Sequence, residues 1–353
     1  MKKNGKKGIV VFIALMLSIV LVLAACGQSE PAADTQQPSD PPATQPDGQA
    51  EGDWAMAPSA NLIMATGGVA GTYYPLGGAM AAVITDMTNL NVTITSTGAS
   101  AANMVQLAQN ESQLAIAQND VMYYAFTATE IWEGHAIGAI SSLRTLMTLY
   151  PEAIQVVVDQ GSGIYSIEDL RGRRVSIGSV GSGVEANALQ VLAAYGITRD
   201  DISALQLGFA DSADAMRDGL ADAFFVTAAT PNTAIQELAT ARDLRILPIA
   251  GEAAQALKNA YPFYSTIIIT AENSGYSWLQ EPVETLAVQA TLVATIDMDE
   301  QVAYDIVRAL IEGRDEIGHD RGRDISPENA LENLSVPLHP GAERFFREMG
   351  YLS

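Results

Sequence analysis

The chain has one cysteine, three histidines and few basic residues, and each shortage removes a class of chemistry. With Cys26 alone, no disulfide forms within the chain and no cysteine-based zinc or redox site exists. His135, His319 and His339 lie far apart in sequence, without an HExxH pair, and no GxSxG elbow is present. Nothing supports an activated nucleophile, so the chain is not expected to be an enzyme and no cofactor or metal is expected. Lys and Arg number 19 against 41 Asp and Glu. Without the four lysines at the extreme N-terminus, 15 basic residues face 41 acidic ones, a net charge of −26. A body so acidic repels nucleic acid and anionic membrane surfaces. Neither is expected as a partner of the body, and a monomer is expected.

The N-terminus reads separately. "MKKNGKKGIVVFIALMLSIVLVLAAC" passes from lysines through an apolar run, about Ile9 to Leu23, to Ala24 and Ala25 directly before Cys26. That order is a secretory leader over residues 1–25, and its end resembles the cleavage box of bacterial lipoproteins. The resemblance implies acylation of Cys26 and an extracytoplasmic protein lipid-anchored to the cell membrane. Two or three acyl chains hold a membrane stably where one does so only marginally. The competing reading is an uncleaved span, for which the run is short against a ~30 Å hydrocarbon core. Residues 26–59 are rich in Pro, Gln, Asp and Ala and have few large apolar side chains. They cannot offset their ordering entropy by burial and read as a disordered tether, with a flexible reach on the order of 30 Å.

From Asn61 onward strands and helices alternate: "NLIMAT", "YYPLGGAMAAVITDM", "NVTITST", "SAANMVQLAQN", "QLAIAQN". This βαβαβ order predicts a parallel, doubly wound sheet. The pattern recurs in "RRVSIGSVGSGVEANALQVLAAYG", a strand, glycine turn and helix with Gly196 as the stop. "SALQLGF", "SADAMRDGLAD", "AFFVTA", "PNTAIQELATARD" and "LRILPI" continue it. "LMTLYPEAIQVVV" near Pro151 and "NAYPFYSTIIIT" near Pro262 predict two crossings between lobes, hence a hinge over a cleft. Lobe I is expected over 60–152 and 264–353, lobe II over 153–263. Open α/β sheets bind ligands beyond the carboxyl ends of their strands, where both glycine turns fall.

"TGGVAGTYY" places Thr66, Gly67, Gly68 and Gly71 before a helix that opens at Thr72 and Tyr73. Glycine permits close backbone approach, and the free N–H groups and dipole of a helix start favour an anion. The dinucleotide pattern GxGxxG fails at its first position, Thr66, and "TITST" offers no acidic ribose ligand. A turn needed only for packing is the other alternative. "GSVGSGVE" adds Ser179, Ser182 and Gly183 at a second helix start, where Gly and Ser also serve as ordinary caps. Two opposed anion-receptive turns suit two carboxylates, or one carboxylate and a neutral polar end. Thr97, Gly98 and Ser100 can donate to the same anion. Gln118 and Asn119 can bond a carboxylate or an amide, while Asp120 accepts from an α-ammonium or caps the next helix. Tyr264 closes the cleft over the ligand or packs the hinge. Arg144 is the basic residue to weigh as a carboxylate partner, against a surface role.

"ATGGVAGTYYPLGGAMA", "QNDVMYYA", "LYPEAIQVVV", "SIEDLRGRRVSIGSVGSGVEANA", "DAFFVTA", "IQELA", "YPFY" and "PLHPGAERFFREMGY" occur in this order between Asn61 and Tyr351. Together they resemble the TAXI family, the extracytoplasmic solute receptors of tripartite ATP-independent periplasmic (TRAP) transporters. The resemblance implies an α/β, two-lobed, periplasmic-binding-protein-like fold (type II), with two doubly wound sheets joined by a two-crossing hinge. It also implies a small carboxylate ligand, such as glutamate, glutamine or 2-oxoglutarate, and a TRAP-type membrane permease driven by an ion gradient as partner. Two positions depart from the family pattern: Ala99 replaces a glycine in TGGS, and Val184 replaces a threonine in GSGTE. Both fall in the expected cleft and leave the ligand open. A ligand-sensing lipoprotein of a signalling system is the alternative function.

Overall fold

In the computed structural model, which describes residues 55–353, short apolar runs pair as strands and most are followed by a helix. The leader, Cys26 and nearly all of the expected tether lie outside the described residues. β1 (Ala60–Ala65) leads into α1 (Tyr73–Met87), β2 (Leu90–Thr95) into α2 (Ser100–Ala108), and β3 (Leu114–Gln118) into α3 (Asn119–Thr127). β1 pairs in parallel with both β2 and β3. Leu76, Met80 and Ile84, four residues apart on one face of α1, are fully buried. Gly77 lets that face approach the sheet: a Cβ there would lie 2.8 Å from the Thr66 methyl.

β4 (Leu143–Asp159) has 17 residues, and at ~3.3 Å per residue it runs on the order of 55 Å, far longer than an ordinary strand. The chain then builds β5 (Arg174–Ser176), α4 (Gly183–Ala194), β6 (Ser203–Leu205), α5 (Phe209–Arg217), β7 (Ala223–Ala228) and α6 (Thr233–Ala239). β8 (Leu244–Leu247), α7 (Gly251–Ala260), β9 (Ser265–Ile269) and α8 (Ala271–Ser274) follow. The 13-residue β10 (Val283–Thr295) returns, and α9 (Glu300–Glu312), α10 (Pro327–Ala330) and α11 (Pro340–Glu348) end the chain. The sheet order is β2-β1-β3-β10-β4-β7-β5-β6, with β8 against β4 and β9 against β10.

The apolar cores divide along the two long strands. On β4, Leu146, Leu149 and Tyr150 pack with Met64, Leu76 and Phe345, whereas Ile154 and Val156 pack with Val175, Val191 and Phe225. On β10 the division falls between Val288 and Ala290. The polar Glu152 and Gln289, both buried, sit at these two boundaries. Register shifts between Ala290 and Thr291 and between Leu292 and Val293 break the β10–β4 ladder beside them, and such irregularities bend a strand.

The α/β class and the two-lobed, two-crossing arrangement are thus present, with two differences of detail. The halves are not separate sheets, because β4 and β10 pair with strands on both sides and make them hydrogen-bonded neighbours in one. The second crossing is β10, not the stretch around Pro262. β9 is a five-residue strand lying beside the first half of β10, with Ser265 opposite Ala287 and Ile269 opposite Val283. Ile269, Tyr276 and Leu279 pack with Phe224. The run "STIIIT" has the β-branched content of a strand but is too short to traverse both halves. Residues 264–288 therefore pack with the second half.

Candidate functional site

The turns that end β1 and β2 in the first half face those that follow β5 and β6 in the second, and a cleft lies between. Its inner part is a cavity of about 50 Å³, and its outer mouth opens a further 400 Å³ or so. The first half supplies Gly67, Gly68, Gly71, Thr72 and Tyr73 to the inner cavity, with Ser100 and Gln118 beside them. The second supplies Gly183, Val184, Phe209 and Thr227. Glu152 reaches the cavity from β4 where the cores divide. Of the ligand-binding residues expected from sequence, eight therefore line one cavity, and Ala99 and Val184 line it with them. Thr97, Gly98, Ser179 and Ser182 line the outer mouth.

Local chemistry explains these placements. Ser182 caps α4, its hydroxyl accepting from the Glu185 N–H at 3.2 Å. Thr72 makes no side-chain cap hydrogen bond on α1. The two turns meet closely. A Cβ on Gly183 would lie 1.8 Å from Gln118 Oε1, and one on Gly71 would lie 3.6 Å from the Phe209 ring. The Ala101 N–H donates to the Gly181 carbonyl at 3.2 Å, and Asn232 Nδ2 to the Ala70 carbonyl at 3.3 Å. The halves are in contact around the cavity.

Several expected ligand groups are engaged elsewhere. Thr66 is fully buried and its hydroxyl donates to the Thr95 carbonyl. The Thr97 hydroxyl bonds the Thr66 carbonyl and Asn103 Oδ1. Asn119 Oδ1 accepts from the Gln289 N–H, and its Nδ2 donates to the Asn333 carbonyl, so Asn119 ties β3 to β10 and the C-terminal segment. Tyr73 contributes its ring to the cavity, but its hydroxyl donates to Glu152 Oε2 at 2.7 Å. Arg144 bonds the carbonyls of Ser141 and Leu143, away from the cleft, so the surface reading holds for it.

Asp120 and Tyr264 join a network across the cleft. Asn187 Nδ2 donates to Asp120 Oδ2 at 2.8 Å and lies 3.0 Å from the Tyr264 hydroxyl. Tyr264 donates to Gln190 Oε1 at 2.5 Å, and Gln190 Nε2 donates to the Tyr124 hydroxyl at 3.0 Å. Asp120 and Tyr124 are four residues apart on α3, and Asn187 and Gln190 three apart on α4, so each pair shares a helix face. Asp120 does not cap α3 through a helix-turn bond: its Oδ1 accepts only from the adjacent Val121 N–H. Burial raises its pKa to about 6.

Glu152 was not found from sequence. It is 2% exposed, and burial, with the nearby Asp120 carboxyl adding to it, pushes its pKa up to about 8. Tyr150 OH lies 3.5 Å from its Oε1, and Gln118 is also in hydrogen-bonding reach. Its signal was a lone carboxylate inside the apolar run "LYPEAIQVVV". Phe209 and Thr227 gave no signal, since an aromatic at a helix start and a threonine in a buried strand are both common. Among the described residues no cluster of three or more His, Cys, Asp or Glu is placed to hold a metal ion. No helix among them is long and apolar enough to cross a membrane.

Residues 64–350 match the model of the NMT1-like family, and since that is most of the chain, the chain belongs to this family. Among solved structures, it is similar to the alkanesulfonate-binding protein SsuA of Xanthomonas axonopodis pv. citri bound to MOPS. The identity is 16%, the TM-score 0.45, and 82% of this chain and 84% of that one are covered. It is similar to the periplasmic aliphatic sulphonate-binding protein SsuA of Escherichia coli at 16% identity and TM-score 0.47, with 84% of each chain covered. The putative L-cystine ABC transporter protein of Listeria monocytogenes matches at 13% identity and TM-score 0.45, over 72% of this chain and 91% of that one.

Proposed function

We propose that this NMT1-like protein is an extracytoplasmic solute receptor that closes its two halves over a small carboxylate and delivers it to a TRAP-type secondary transporter. The observation that carries the reading is the cavity between two halves that share two long strands, walled by glycine turns from both. The start of α1 borders it with no side-chain cap, so backbone N–H groups and the helix dipole are available to a carboxylate. The ligand bonds Ser100, Gln118 and the turn at Gly67–Tyr73 on one side and the Gly183 turn on the other, with Thr97, Gly98, Ser179 and Ser182 around the entrance. The TAXI-like motifs support the transporter as partner, and the leader supports a lipid anchor at Cys26. The site holds its solute and does not transform it.

A thermal-shift screen of the purified protein tests this reading. A ligand present at ~100 times its Kd and bound only by the folded state adds about 2.7 kcal/mol. One or more of glutamate, glutamine, 2-oxoglutarate and C4-dicarboxylates is expected to raise the melting temperature. A rise with a sugar or nucleotide and none with any carboxylate contradicts the reading.

A further inference from the structure

On the receptor reading, which the inference requires, the charge of the cleft selects among carboxylates. Among the described residues, no lysine, arginine or histidine lines the inner cavity or the outer mouth. The charged side chains that do are acidic: Glu152 inside and Asp211 at the mouth. Asp120 stands close enough to act on the Glu152 carboxyl through space. The nearest basic influence is Arg321, felt at Tyr150. Its guanidinium pairs with Asp324 at 3.0 Å and, with His319, lines an adjoining chamber that shares Gly71 and Thr72 with the cavity. Two more polar atoms at the cavity, Gln118 Oε1 and Thr227 Oγ1, are buried without a hydrogen-bond partner. Glu152 carries four lone-pair sites and Gln118 Oε1 two, whereas an ammonium group carries three donors and no acceptor. A second ligand carboxylate would find acceptors there and no cation to offset its desolvation.

We propose that Glu152 is the specificity-determining residue of the cleft: it holds an ammonium group, so the solute is an amino acid or a similar zwitterion and not a dianionic keto acid or dicarboxylate. The ammonium sits on Glu152 and Gln118 Oε1, and the carboxylate on the N–H groups that start α1. Near neutral pH the empty site keeps a proton on Glu152, and the incoming ammonium displaces it to solvent. The Glu152 subsite is then neutral both empty and filled, which a dianion does not achieve.

The groups that face Glu152 fix the sign of its pH dependence. Tyr73 from α1 and Tyr150 from its own strand are held well above the usual tyrosine range by burial. Gln118 from β3 does not titrate. Asp120 from α3 titrates at about 6, so it bears on the lower end of the range and is ionised between pH 7 and 8. Amino acid affinity therefore rises with pH up to about 8, by a factor approaching ten per pH unit.

Titration calorimetry of the purified protein with glutamine, glutamate and 2-oxoglutarate, at pH 6, 7 and 8 in two buffers of different ionisation heat, tests the proposal. The expected result is binding of one or both amino acids, with 2-oxoglutarate at least about a hundredfold weaker. Roughly one proton is released per amino acid bound at pH 7. Glu152→Gln, neutral and of similar size, is expected to cut that difference to under about tenfold and to abolish the proton release. If this variant does not fold, the proton count in the unmodified protein decides. Equal or tighter binding of 2-oxoglutarate, or affinity that falls with rising pH, overturns the proposal and leaves the receptor reading standing, because a dianion then shares the Glu152 proton. A C4-dicarboxylate bound where both amino acids fail overturns the proposal and leaves the receptor reading standing, whereas a sugar or nucleotide bound in place of every carboxylate contradicts both.

Discussion

Ala99 shows how one side chain bears on the site. It stands before α2 at φ 72° and ψ −145°, a region that glycine enters freely and other residues enter at a cost of about 1–3 kcal/mol. This chain holds that backbone with a methyl group that lines both parts of the cleft. Ala99→Gly is expected to stabilise the protein by about 1 kcal/mol net of the packing it loses, measured as a rise in the denaturant midpoint at constant slope. Glu152 acts at the same scale through its proton. The folded protein keeps a proton that the unfolded chain releases, so unliganded stability falls as pH rises from about 4.5 towards about 8. Glu152→Gln removes that slope above about pH 6, below which the buried Asp120 carboxyl, raised to about 6, adds a slope of the same sign. Unfolding curves across this range check it, and an unchanged slope would assign the dependence to another group.

At the scale of elements, the cleft depends on how closely two helix starts approach. Gly183 gives α4 the room that Gln118 fills from β3. Gly183→Ala is expected to weaken ligand binding about tenfold, or ~1.4 kcal/mol, while leaving the melting temperature of the empty protein within a few degrees. In a Gln118→Ala background the same change has little effect, because the two side chains no longer compete for one space. The faces of α3 and α4 form the second cross-cleft contact. Asn187→Ala strands the buried Asp120 carboxyl and removes a donor from Tyr264, a loss of about 1–3 kcal/mol. It is expected to shorten the ligand's residence time more than it slows association, as stopped-flow binding can show. The helices themselves were legible. "YYPLGGAMAAVITDM" is α1 to the residue, and Gly196 stops α4 with a positive φ. What one sequence did not reveal is which polar groups face each other: Asn119 reads like a ligand group and serves as a strand tie, while Glu152 reads as part of a strand and lines the cavity. Such pairings join distant residues, Asn119 lying 170 positions from Gln289 and 214 from Asn333, so local pattern carries no trace of them.

For the whole molecule, the repeat of strand, glycine turn and helix made the two α/β halves readable in the chain, but the second crossing was misplaced. Pro262 and the run "STIIIT" resembled a traverse, but a traverse needs length, and only β4 and β10 have it. The two long strands carry register shifts beside the division between the cores, and hydrogen bonds link the halves across the cleft; on the proposed reading these strands are the hinge. A ligand bound to both halves shifts the balance towards the closed form by its difference in affinity for the two forms. Small-angle scattering of the purified protein, with and without the ligand that raises its melting temperature, tests this claim most directly. A smaller radius of gyration in the presence of ligand is the predicted result. An unchanged radius at saturating ligand would show that the solute is held without closure and contradict the account.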